Sequence, residues 1–587
     1  MELQQVPDWG TIPRMLRDQA AGHGEVEVVV SGDTRLTLAE LARQASEVAR
    51  ALMALGVTPG DRVAIWAPNS PEWVVCAYGL WDTGAVVAPL STRFKGIEAG
   101  EFLRKVGATV LFVAEGFMDT SYLGMLAEAW GPAADERPFA KLPDLEYVIA
   151  IDGANLMSER SGPRGTSGPR SEGRGAAPQE HGANLMSERS GPQEHGAPAS
   201  AVSGRPGVLT WAGFAAGGSA VSPGAAEDRA LSVGPDDLAE IMATSGTTGT
   251  PKGVMLPHAQ LLRGYWDWAE IVTLGEDDHY PIIAPFSHGF GINAGLLACV
   301  IKRATMMPVA LFAPDELMSM IARDRITILA GPPTLFFRIL DELATAAWDV
   351  SSLRVAICGA AAVPPELIRR LLDRVGLERM INAYGLMEGT VVSMTRAEDP
   401  VEVIAGSTGR AVPGVSLRIV DDAGKDLPAG ERGEILIGGY GVMPGYWDDP
   451  EKTAEAVDGA GWLHTGDIGV LDEQGNLALV DRKKEMFIVG GFNAYPAEIE
   501  SLLLHHQDLA QAAVIGVPDG THGEVGWAYV VPGPGATVVP GAVISWARGH
   551  MSNYKVPRRV IVVDTLPVNV NGKVDKPALR AQAAAML

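Results

Sequence analysis

The chain has 587 residues, 47% hydrophobic and 20% charged, the composition of a folded globular protein too long for one core, so two or more domains are expected. With 47 basic against 71 acidic side chains the formal charge is −24, which argues against nucleic acid as a partner, because phosphates need a basic face. Three cysteines without metal-ligand spacing, no long apolar run and no signal-peptide pattern at the start point to a reducing cytoplasm and no transmembrane segment.

Taken in order, Thr37 opens a capping box with Glu40, and Leu38, Leu41, Ala45, Val48, Leu52 and Leu55 follow at spacings of three and four, which predicts an amphipathic helix ending near Gly56. Residues 63–66, 85–90, 110–113 and 147–151 read as strands, with a helix over 71–81, an alternation that predicts βαβ units on a parallel sheet. From 152 to 206 Gly, Pro, Ser, Arg and Ala dominate and polar strings are duplicated (GANLMSERSGP at Gly153 and Gly182). Such a segment buries too little apolar surface to fold, and it reads as a disordered insert.

The stretch MATSGTTGTPKGVMLPH, 242–258, is the focus of the chain. Gly246, Gly249 and Gly253 free the backbone to approach a ligand closely, Ser245, Thr247, Thr248 and Thr250 surround them with hydroxyls, and Lys252 adds a mobile positive charge. This suits a polyphosphate, although the spacing is not that of the Walker loop. Beyond it, strands are expected at 282–285, 304–309, 326–330, 354–358 and 380–383. Short strands among Gly/Asp turns from 406 to 482 predict a β-rich subdomain, and strands at 513–517, 527–531 and 559–563 with helices at 496–505 and 543–551 predict a final small unit.

Four further strings carry chemistry. NAYGLMEG, 382–389, runs a strand into a Gly turn with an acidic residue, suited to a nucleotide and a hard cation. WLHTGDIG, 462–469, offers Asp467 as an acceptor for ribose hydroxyls, with Arg482 downstream as a charged donor. Alone, Asp467 reads as a turn residue, Lys573 of LPVNVNGKVDK as a surface lysine, and His288 of PFSHGFG as a structural group.

SGTTGTPKG resembles the signature of the adenylate-forming superfamily, which includes acyl-CoA synthetases, luciferases and peptide-synthetase adenylation domains; the other strings follow in that family's order across nearly the whole chain except the insert. The resemblance implies an α/β fold: a large N-terminal domain of mixed α/β sheets with a β-rich subdomain (1–482) and a small mobile α+β lid (483–587). It implies ATP or AMP contacts at Thr244, Ser245, Gly246, Thr247, Thr248, Gly249, Lys252, Gly359, Ala360, Ala361, Asn382, Ala383, Tyr384, Gly385, Asp467 and Arg482. Tyr384 would pack on adenine, Glu388 bind Mg²⁺, and Lys573 reach the acyl carboxylate and α-phosphate; Thr248, Glu388, His288 and Lys573 form the implied catalytic set. Lys484 falls at the family's hinge, Gly490 and Gly491 line its CoA passage, and His288, Phe290, Gly291 and Trp266 border the acyl pocket.

The implied function is that of an ATP-dependent acyl-CoA synthetase acting on a small-molecule carboxylic acid, with ATP, Mg²⁺ and coenzyme A. The segments 285–308 and GPPT at Gly331 are most similar to actinobacterial enzymes, including the type that activates the propanoate side chain of a steroid remnant. An acyl-AMP ligase with a non-CoA acceptor and a non-catalytic binding protein on the same fold are the alternatives, and a homodimer is compatible with all three. Two departures stand out. Met387 replaces the usual Thr before the Glu, a lost hydrogen bond of about 1 kcal/mol for which Thr390 is a candidate substitute, and Val568 and Asn571 replace the frequent Arg and Ser before Gly572 and Lys573.

Overall fold

The computed structural model describes residues 4–133, 137–152, 207–244, 251–359, 363, 365–421, 423–482, 487–494, 496–533, 535–567 and 574–587. The duplicated strings of the insert lie outside the described residues.

The helix predicted after Thr37 spans Leu38–Ala54, with the threonine accepting from Glu40 N and the Glu40 carboxylate accepting from Thr37 N. Helix Pro71–Thr83 packs beside it and is buried on nearly every side, from Trp73 to Thr83 without interruption. This all-round apolar helix belongs inside rather than on a surface. Both accompany a seven-stranded sheet ordered Val208–Thr210, Tyr147–Asp152, Val110–Glu115, Arg62–Trp66, Val86–Pro89, Leu238–Thr244 and Lys252–Pro257. Its pairs are parallel except the last, where Leu238–Thr244 and Lys252–Pro257 run antiparallel with Thr244 opposite Lys252. The phosphate-loop string therefore joins two paired strands.

A second sheet begins with three parallel strands, Ile328–Gly331, Val355–Gly359 and Arg379–Leu386, and ends with antiparallel Thr390–Met394 and Arg410–Ala411. Register aligns Gly331 with Cys358 and Gly359 with Ala383, so GPPT, Gly359 and the start of the NAYGLMEG string lie together at the carboxyl ends of the parallel strands. The β-rich stretch is a four-stranded antiparallel sheet of Val415–Val420, Gly433–Gly439, Leu463–Leu471 and Leu477–Arg482. The last sheet is built from Phe487–Val489, Phe492–Ala494, Leu509–Asp519, Gly523–Pro532 and Arg559–Val562, with separate hydrophobic clusters on its faces. Among the described residues no helix is long and apolar enough to cross a membrane.

Two elements depart from the sequence expectation. Glu27–Ser31 and Thr34–Thr37 form a hairpin that joins Thr305–Pro308 in parallel, a pairing across some 280 positions that local pattern does not reveal. The strand expected at 282–285 is His279–Ile282 instead. Asn69 accounts for the shift: its amide donates to the carbonyls of Ile282 and Ala284, and its oxygen accepts from Phe286 N, so a distant side chain takes these backbone groups from a longer ladder.

Candidate functional site

At the mouth of the first sheet Lys252 leaves the phosphate-loop string with its Nζ 4.2 Å from the centroid of the Tyr446 ring. Tyr446 in turn donates its hydroxyl to Glu388 Oε1 at 2.9 Å, and the Glu388 carbonyl accepts from Met443 N at 2.8 Å. A cation, a phenol and a carboxylate from three separated stretches of the chain thus meet in one place. Gly253, beside Lys252, serves packing rather than ligand approach: a Cβ there would stand 2.6 Å from Ile241 Cγ2 and 3.3 Å from Trp447 Cβ.

The second convergence joins Tyr384 to Asp467, the phenol donating to Oδ2 at 2.6 Å with both residues buried. Thr465 sets the carboxylate in place, since its hydroxyl donates to Ile435 O at 2.7 Å and accepts from Asp467 N at 3.0 Å while Gly466 turns through φ +68°. On the neighbouring strand Arg482 stands opposite Asp467 in register. Gly385 is exposed beside Tyr384, and Ala383 is half-buried.

Asn382, expected at the nucleotide, is committed elsewhere. Its Nδ2 donates to the carbonyls of Ile404 and Ser407, at 3.2 and 2.9 Å, and ties the end of helix Val401–Gly406 to the sheet. Thr390 is buried at φ +53°, its hydroxyl near Gly264 and Gly441 and without a hydrogen-bond partner among the described residues. Met387 itself packs on the acyl segment: a Cβ on Gly289 would lie 2.8 Å from its Sδ.

On that segment His288 is solvent-accessible, and desolvation by its surroundings lowers its pKa from the ordinary value. Its Nδ1 accepts from Phe290 N at 3.2 Å, and the chain then enters π-helical turns over Ile292–Leu297, an irregularity found mostly at functional sites. Gly291 has no room for a side chain, since a Cβ would meet Pro285 O at 2.1 Å. Phe290 meets Trp268 edge-to-face, ring centroids 6.3 Å apart. Trp266 does not join them. It donates Nε1 to Gln4 O at 2.9 Å, packs edge-on to Trp9 and carries Lys302 3.3 Å over its ring, because two positions on a helix turn side chains to opposite sides.

Gly359 is half-buried, a Cβ there lying 3.1 Å from Ala383 O. Gly490 and Gly491, at φ +56° and +85°, form the turn of the small-domain hairpin, and a Cβ on Gly491 would come within 3.5 Å of Pro332 in GPPT. Ser245, Gly246, Thr247, Thr248, Gly249, Ala360, Ala361, Lys484 and Lys573 lie outside the described residues. Tyr446 and Thr465 escaped the sequence reading because each is tied to the candidate site only through a neighbour it bonds. A glycine before an aromatic residue, Gly445 at φ +154°, was the available signal for the first.

The arrangement can cradle a nucleotide and its phosphates. Glu388 fits a magnesium site: Tyr446 occupies one carboxylate oxygen, the other has no hydrogen-bond partner among the described residues, and no cluster of three or more His, Cys, Asp or Glu is found there to hold a metal by protein groups alone. Mg²⁺ is commonly held by one or two carboxylates together with substrate phosphates.

The family model described as AMP-binding enzyme matches residues 16–447, and that of the AMP-binding enzyme C-terminal domain matches 498–573. A methyl-dioxo-octahydroindenyl-propanoyl:CoA ligase from Rhodococcus jostii (strain RHA1) is 39% identical over 97% of this chain and 98% of its own. The protein of the same name from Mycobacterium tuberculosis (strain ATCC 25618 / H37Rv) is 39% identical over 98% and 99%. Among solved structures, an amide bond synthetase from Marinactinospora thermotolerans superposes with a TM-score of 0.73 at 26% identity, covering 97% of this chain and 99% of that one.

Proposed function

The chain belongs to the AMP-binding enzyme family and acts as an ATP-dependent acyl-CoA synthetase, and we propose how its residues divide the two half-reactions. In the first, a carboxylate attacks the α-phosphate of ATP, giving acyl-adenylate and pyrophosphate. Tyr384 provides the aromatic face for adenine, Asp467 and Arg482 take the ribose hydroxyls, and Ser245 to Gly249 with Lys252 hold the phosphates. Mg²⁺, on Glu388, supplies positive charge to the phosphate oxygens when bound. Lys573 brings a second cation to the acyl carboxylate and α-phosphate, where a preorganised charge is worth about 10²-fold or more in rate.

In the second half-reaction the small domain, 483–587, has turned about Lys484, Gly490 and Gly491 border the thiol's path, and CoA displaces AMP. The observation that supports this division most is the meeting of Lys252, Tyr446 and Glu388, from stretches up to about 190 positions apart, with the Tyr384–Asp467 pair as a second convergence. We place the enzyme in the cytoplasm, where its buried free cysteines, Cys76, Cys299 and Cys358, stay reduced. The acid we propose is a bulky ring-bearing propanoate of the kind named for the two 39%-identical relatives. Lys573→Ala tests the assignment: acyl-adenylate formation should be lost while thioester formation from supplied adenylate persists, and equal loss of both contradicts it.

A further inference from the structure

Where the small domain meets the large one, three charged side chains are sealed from water. Lys555 of the small domain reaches Glu98 Oε1 of the large domain at 2.7 Å and also bonds Glu498 Oε1 of its own domain. The three side chains are 1%, 3% and 5% exposed, and Glu498 Oε2 has no further partner among the described residues. Glu98 lies in the first turn of the helix Gly96–Val106, where its Oε2 accepts from Lys95 N at 2.9 Å. Around the cluster the two domains close over one another. Arg93 lies 3.8 Å over the Phe492 ring, Phe492 stacks on Tyr554, and Ile97 packs on the small domain's hydrophobic cluster.

We propose that Glu98, Lys555 and Glu498 are positioning residues for thioester formation: a buried latch that holds the small domain in the orientation that brings Gly490 and Gly491 against Pro332. Desolvating three charges is costly and is offset only while both carboxylates share the lysine. Turning the small domain away takes Lys555 from Glu98 and readmits water to both. The Lys555–Glu98 contact therefore exists in one orientation and not in the other, while Lys555–Glu498 turns with the small domain, and a contact made in one state only is what biases a two-state equilibrium. Among the described residues none of the three side chains bonds Lys252, Tyr384, Glu388 or Asp467, so their effect on chemistry runs through orientation. The inference rests on the two half-reactions being run in different domain orientations.

The test uses the full-length enzyme with Glu98→Gln, which keeps the size of the side chain and removes its charge. Because the three native cysteines are buried, Asp33→Cys and Val539→Cys, both on exposed positions, accept a dye pair that reports the distance between domains. In wild type, pyrophosphate release without CoA and thioester formation from supplied adenylate establish whether both half-reactions occur, independently of the latch. With Glu98→Gln we expect the population at the wild-type distance to shrink, thioester formation from supplied adenylate to fall about 10-fold in proportion, and adenylation to stay within about twofold. A distance distribution identical to wild type, or an equal fall of both half-reactions, overturns the proposal. The exchanged pair Glu98→Lys with Lys555→Glu keeps one lysine and two carboxylates in the cluster. It should recover the wild-type distance that Glu98→Lys alone loses, and failure to recover in a double variant that still melts cooperatively also overturns it.

Discussion

Tyr384 and Asp467, 83 positions apart, are joined by a hydrogen bond of 2.6 Å, so the aromatic face assigned to adenine and the carboxylate assigned to ribose are held by each other. Ribose binding then exchanges one partner of a preplaced carboxylate rather than ordering a loose one. Asp467→Ala should raise KM for ATP by about 10- to 100-fold, the loss of a hydrogen bond to a charged acceptor being about 1.5–3 kcal/mol. Tyr384→Phe, which keeps the ring, should raise it only about fivefold. Steady-state KM measurements check both, and equal effects would place the phenol rather than the carboxylate on the sugar.

Tyr446 fixes one oxygen of Glu388 and lies under Lys252. Tyr446→Phe frees the carboxylate and leaves the ring under the lysine, so the Mg²⁺ concentration at half-maximal adenylation should rise several-fold with little change in KM for the acid. A Mg²⁺ titration of pyrophosphate release measures this. An unchanged midpoint would remove Glu388 from the metal.

Met387 packs against Gly289 on the acyl segment, so it touches the acid side as well as occupying the position where a threonine would face the phosphate. Met387→Thr restores a hydroxyl and opens space. Adenylation kcat should rise about fivefold, from about 1 kcal/mol of hydrogen bonding, while KM for the acid rises. A fall in kcat would show that the methionine's packing outweighs the missing hydroxyl.

Glu240 is wholly buried, its Oε2 accepting from Asn293 Nδ2 at 3.0 Å and its Oε1 without a partner among the described residues. Burial pushes its pKa from the ordinary 4.5 up to about 8, against the lowering effect of the Asn293 amide. A carboxyl with a raised folded pKa binds its proton more tightly in the folded state. Its stabilising contribution is therefore full below about pH 4.5 and is lost as pH rises to about 8. Glu240→Gln removes that slope, so the variant's stability relative to wild type should improve steadily between these limits in urea unfolding. Parallel curves would show that the carboxyl is ionised in the fold. His258, held neutral by burial with its pKa near 3, titrates in both proteins and cancels in the difference.

Much of this architecture was readable because it is local. The capping box at Thr37, the buried helix from Pro71 and the parallel strands from Arg62 to Asp152 each carry their period in a few consecutive residues. What could not be read depends on partners far along the chain: Asn69 redirecting residues 282–286, Glu27–Ser31 pairing with Thr305–Pro308, and Trp266 and Trp268 facing opposite neighbours. The site divides in the same way. Tyr384, Asp467, Lys252 and Glu388 stand beside glycines in strings that the family resemblance singled out, whereas the bonds from Asn382 to Ile404 and Ser407 and those by which Tyr446 and Thr465 hold their neighbours leave no local pattern.

The account is tested most directly by measuring AMP and thioester formation with and without CoA across short, medium, long, aryl and ring-bearing propanoic acids. It predicts AMP and acyl-CoA in equal amounts, dependent on CoA, with a ring-bearing propanoate as the preferred acid. Pyrophosphate release with adenylate accumulating and no thioester from any acid would contradict it.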